Sequence, residues 1–116
     1  MGILDPAAWE NLREMVGGDA EFISELMDTF LEDAPRMLSD MHQALKDGDA
    51  TVLRRAAHSL KSNSAEFGAM ALSSLCRELE ELGKAGTFSG VDELLARVEA
   101  GFAQVKVALE AARQEL

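Results

Sequence analysis

Two histidines, His42 and His58, and one cysteine, Cys76, are the side chains of this 116-residue sequence best suited to nucleophilic or metal chemistry. His58 has the more informative surroundings. One helical turn away in either direction stand Arg54, Arg55, Lys61 and Ser62. From Ala50 through Ala65 there is no Asp or Glu, the longest acid-free run in a strongly acidic chain. A histidine that attacks phosphorus must present an unprotonated ring nitrogen, and neighbouring cations favour that form. Once the ring carries a phosphoryl group, the same cations attract it. Ser62 and Ala65 are small, so another protein's active site can approach the ring without meeting bulk. An exposed histidine in a basic stretch is also what an ordinary solvated helix face looks like. Spacing and charge therefore permit a phosphate carrier without requiring one.

Other chemistries fit less well. A helical metal site needs His, Cys, Asp or Glu at i+3 or i+4, where His58 has Lys61 and Ser62, so no bound metal is expected. A serine nucleophile needs a base held by a third group, and no carboxylate close in sequence is placed to orient the His58 ring for Ser59 or Ser62. There is no glycine-rich phosphate-binding loop with its lysine, hence no expectation of ATP binding or hydrolysis. Cys76 falls in an apolar stripe and reads as inert core. His42 sits between Met41 and Leu45 with no basic or small-residue neighbourhood, as a surface or boundary residue.

The elements that must hold His58 are helices. Leu, Ala, Glu and Met are plentiful, Tyr is absent and Pro occurs twice, a mix that favours helix over sheet. Capping and periodicity predict helices over about 6–16, 19–46, 49–67, 69–84 and 91–114. Asp5-Pro6 opens the first and Gly17-Gly18 ends it. Asp19 caps the second, whose stripe runs Ile23, Leu26, Met27, Phe30, Ala34, Met37, Leu38, Met41 and Leu45. That stripe stays in phase across Pro35, which predicts one kinked helix of about 40 Å rather than two. The third helix buries Leu53, Ala57, Leu60, Ser64 and Phe67, leaving His58 on the solvent side. The fourth carries Leu72, Leu75, Cys76, Leu79 and Leu82, and Gly83, Gly86 and Gly90 mark the loop after it. The fifth turns Leu94, Leu95, Val98, Phe102, Val105 and Leu109 inward. Four long one-sided helices with short connections predict an all-α, up-down-up-down four-helix bundle with a short additional N-terminal helix, in one domain over 1–116. Each stripe covers one face only, so a monomer is the simplest state.

The formal charge is −10, from 21 acidic and 11 basic side chains, and it argues against a nucleic-acid partner. One cysteine excludes an internal disulfide. No apolar run is long enough to span a membrane and Asp5 arrives too early for a signal peptide, so a cytoplasmic protein without membrane contact is expected.

The stretch from Ala57 to Ala69, with His58, Leu60, Lys61, Ser62, Phe67 and Gly68, resembles the signature of histidine-containing phosphotransfer (HPt) domains: His-x-Leu-Lys-Gly, small residues, then an apolar residue and Gly. Asp19–Leu26 continuing to Phe30–Pro35, and Leu75–Glu80, are similar to that family's second and fourth helices, so the likeness covers nearly the whole chain. It implies a phosphorelay intermediate that is not itself an ATP-consuming enzyme. His58 would be phosphorylated and Lys61 would interact with the phosphoryl group. Arg54, Arg55, Ser62 and Ala65 would border the docking face together with exposed parts of the second helix, and Gly68 would close the helix. The partners implied are receiver domains of response regulators, and a hybrid histidine kinase where the relay has one. Mg²⁺ would be held by the receiver and no cofactor by this chain. Ser62 departs from the family's usual Gly but remains small. Three other readings stay open: the phospho-accepting domain of a chemotaxis-type kinase, a sensor-kinase dimerisation domain, which Ser59 and Asn63 do not match, and a helical adaptor without chemistry.

Overall fold

The computed structural model describes residues 2–116. Five helices run α1 Pro6–Met15, α2 Ala20–Asp47, α3 Ala50–Glu66, α4 Met70–Ala85 and α5 Val91–Gln114. Three of them start on aspartates whose carboxylates accept from free backbone amides: Asp5 from Ala7, Asp19 from Phe22 and Asp49 from Val52. The helix ends are as local. Gly48 and Gly86, in left-handed conformation, terminate α2 and α4. Pro35 leaves α2 as one helix, and its ring lies on the solvent side.

From α2 onward, sequential helices are neighbours. α2 packs on α3, α3 on α4, α4 on α5, and α5 closes the ring against α2, while α1 lies against α3. This is the four-helix bundle with an added N-terminal helix, 42 Å along its longest axis. The inward residues are those of the apolar stripes. Ile23, Met27, Met41, Leu53, Leu60, Leu72, Leu79, Leu95 and Leu109 are fully buried, each worth about 1.5–3 kcal/mol relative to exposure. Phe30 joins Phe67 and Phe102 at ring-centroid distances of 5.3 and 5.8 Å, tying α2, the end of α3 and α5 together.

Two glycines set how closely parts approach. Gly68 has φ +82°, and a Cβ there would lie 2.8 Å from the Asp5 carbonyl oxygen. Its own carbonyl accepts from the Asp5 amide at 2.7 Å. The turn that closes α3 is thereby also the seat of the N-terminal segment. Gly83 corrects the sequence reading. It lies inside α4 rather than in the following loop, and a Cβ would stand 2.9 Å from the backbone nitrogen and the Cβ of Arg54. Tertiary packing, not a turn, demands glycine there, and it draws α3 and α4 together under the face that carries His58.

Candidate functional site

His58 lies on the outer face of α3, with its side chain 59 % exposed. Its ring is nevertheless fixed. Nδ1 is 2.7 Å from Oε2 of Glu80, a residue of α4 whose side chain is only 7 % exposed. The other oxygen of that carboxylate, Oε1, accepts from the Lys61 ammonium at 2.6 Å. One buried carboxylate is thus shared by the histidine and the lysine one turn beyond it. Ser73 of α4 donates its hydroxyl to the Lys61 carbonyl at 3.0 Å, a second tie across the same seam.

The lysine's hydrogen bond does most to hold Glu80 below the usual carboxylate range. Burial pushes the other way, and His58 adds to the lowering. Glu80 is therefore ionised at neutral pH and can only accept. The proton of the shared hydrogen bond must then sit on Nδ1 of His58, which leaves the lone pair of a neutral ring on Nε2.

Glu80 is the residue that sequence reasoning missed. No carboxylate near His58 in sequence could orient the ring, and the one that does so arrives from the next helix. A signal existed: α4 buries Leu72, Cys76, Leu79 and Gly83, and Glu80 falls in phase with them, one turn after Cys76. The purely cationic surroundings expected from Arg54, Arg55 and Lys61 are corrected accordingly, since an anion touches the ring.

Two shallow recesses flank this unit along the α3–α4 seam. Arg54, Arg55, Ser59 and Lys84 line one of them with His58 and Glu80. Lys61, Ser62, Ala65, Met70, Ser73, Ser74 and Arg77 line the other. Ser62 is exposed and Ala65 half-buried, so beyond Lys61 the α3 wall of that recess is made of small side chains. His42 is not part of this arrangement. It pairs with Glu99 of α5 at 3.0 Å, at the seam where α2 meets α5. Cys76 is buried, and burial pushes its thiol up to about 12, which makes it inert. Among the described residues, no helix is long and apolar enough to cross a membrane.

Comparison with known proteins identifies the family of this fold. The sequence matches the Hpt domain family over residues 25–115. It is 29 % identical over 113 residues to histidine-containing phosphotransfer protein 2 of Arabidopsis thaliana, covering 94 % of this chain and 72 % of that protein. Its fold superposes on the crystal structure of histidine-containing phosphotransfer protein B from Pseudomonas aeruginosa PAO1 with a TM-score of 0.89 and 34 % identity, covering 98 % of this chain and 96 % of the other. The chain belongs to the Hpt domain family, the histidine phosphotransfer proteins of two-component phosphorelays.

Proposed function

We propose that His58 is the residue that carries the phosphoryl group, on Nε2, and that it exchanges this group with aspartates of receiver domains. The observation that supports this most strongly is the Nδ1–Glu80 hydrogen bond at 2.7 Å, which turns the nucleophilic nitrogen outward. In the transfer step the Nε2 lone pair bonds to phosphorus. The bond from phosphorus to the receiver's aspartyl oxygen breaks, and its electron pair returns to that carboxylate. The ring then keeps its Nδ1 proton and carries positive charge, which faces the Glu80 carboxylate. Glu80 thus stabilises charge as it develops, by an interaction already in place before reaction. Lys61 supports the same event by holding Glu80 ionised and oriented. The reverse step runs through the same positions.

Mg²⁺ and the remaining electrostatic stabilisation belong to the receiver, and this chain needs no nucleotide of its own. Ser62 and Ala65, with Met70 beside them, form the near part of the docking face. The protein acts as a cytoplasmic monomer. The test is incubation with a panel of phosphorylated receiver domains and, separately, with labelled ATP alone. The expected outcome is acid-labile, alkali-stable label from at least one receiver, none from ATP, and none in His58→Gln with helicity unchanged. Label retained in His58→Gln, or robust self-labelling from ATP, contradicts the reading.

A further inference from the structure

Lys61 is committed before any phosphoryl group arrives. Its ammonium lies 2.6 Å from Glu80, and the Glu80 side chain is 7 % exposed. If Lys61 swung onto a phosphoryl group, the buried carboxylate would give up its 2.6 Å hydrogen bond and keep only the phosphorylated ring as partner, and losing a charge-assisted bond at a buried carboxylate is costly. The dianion on Nε2 therefore needs other cations.

The recess on the far side of the ring holds them. Arg54 and Arg55 are exposed and make no ion pair or side-chain hydrogen bond among the described residues. Lys84 has one long contact, 3.8 Å to Glu81, between two largely exposed side chains, and such a pair is worth little. Gly83 builds the recess. Its missing Cβ lets α4 close on Arg54, so cations one turn before His58 on α3 and one turn after Glu80 on α4 meet in one depression. Ser59 adds a hydroxyl donor there. Guanidinium groups match phosphoryl oxygens in a two-pronged geometry, and free basic groups clustered beside the nucleophile stand out in a chain of net charge −10.

We propose that Arg54, Arg55 and Lys84 form the anion site for the phosphoryl group on His58, while Lys61 stays on Glu80. The proposal rests on the reading of His58 as the phosphorylated residue. Phosphoramidate serves as a probe without a partner protein. The Nε2 lone pair bonds to phosphorus, the donor's N–P bond breaks, and ammonia leaves with the bonding pair. The phosphorus resonance followed against pH then reports the second ionisation of the phosphoryl group, and its decay reports lifetime.

Cations in contact favour the dianion, so the Arg55→Gln/Lys84→Gln double variant is expected to raise that midpoint and to shorten the lifetime several-fold. The Lys46→Gln/Lys106→Gln variant removes equal charge from exposed positions on α2 and α5 and is expected to leave both near the parent values. Label that depends on His58 but shows an unmoved midpoint in Arg55→Gln/Lys84→Gln, or an equal shift in the distant control, overturns the anion site alone. Absence of any label that depends on His58 overturns the carrier reading and the anion site with it.

Discussion

His58 takes its tautomer from a neighbour that its own helix does not supply. The buried Glu80 carboxylate accepts from Nδ1 and from Lys61, so one anion fixes a nucleophile and a cation together. Glu80→Gln keeps the shape and removes the charge. It is expected to cost about 1.5–3 kcal/mol at neutral pH, the usual scale for a hydrogen bond to a charged group. The pH dependence has a definite sign. A carboxyl held low in the folded protein contributes stability above its unfolded value of about 4.3, and that contribution is lost as pH falls through the lower folded value. Urea melts should therefore show the gap between parent and Glu80→Gln closing in acid. A gap that stays constant to low pH would contradict the assigned network. Ser62 tests access instead. Position 62 is exposed and off the core, so both Ser62→Gly and Ser62→Phe should still melt cooperatively, with the glycine costing a few tenths of a kcal/mol in helix propensity. Transfer from a phospho-receiver should survive in the glycine variant and be blocked in the phenylalanine variant. Equal rates in both would remove Ser62 from the docking face. His58, Lys61 and Ser62 were legible in the sequence because one helix displays them at i, i+3 and i+4. Glu80 was not, because adjacent acidic residues on α4 look alike until a neighbouring helix covers one of them.

At the level of helices, the α3–α4 seam decides whether the site exists. Every member of the His58–Glu80–Lys61 unit belongs to one of these two helices, and Gly83 sets their separation. Two effects compete in Gly83→Ala. Alanine gains about 1 kcal/mol of helix propensity, whereas forcing extra volume into a packed contact costs typically 1–3 kcal/mol. The colliding atoms are backbone nitrogen and Cβ of Arg54, which cannot swing aside, so the collision prevails. Gly83→Ala should lower the urea midpoint and slow phosphotransfer together. A variant as stable and as fast as the parent would mean that the seam tolerates separation. The helix starts were readable because Asp5, Asp19 and Asp49 each satisfy a free amide locally. Gly83 misled because a glycine near a helix end signals a turn in sequence, while close helix approach shows itself only in three dimensions.

As a whole molecule, the bundle offers His58 on a rigid outer face and keeps its reactive alternatives out of play. His42 pairs with an exposed carboxylate, Glu99, rather than a buried one shared with a lysine, and Cys76 is shut in the core. The four-helix ring followed from stripes such as Leu53, Leu60 and Phe67 on α3, since each helix had one face to hide and only a closed ring hides all four. Sequence patterning could not give which outward groups of different helices meet, because that depends on helix rotation and spacing. The central claim is that the phosphoryl group resides on Nε2 of His58, with Nδ1 protonated against Glu80. The most direct measurement is nitrogen NMR of imidazole-labelled protein before and after transfer from a phospho-receiver. The account predicts a protonated Nδ1 in the resting ring and, after transfer, phosphorus coupling to Nε2 of His58 alone. Coupling to Nδ1 of His58, or to either nitrogen of His42, would contradict it.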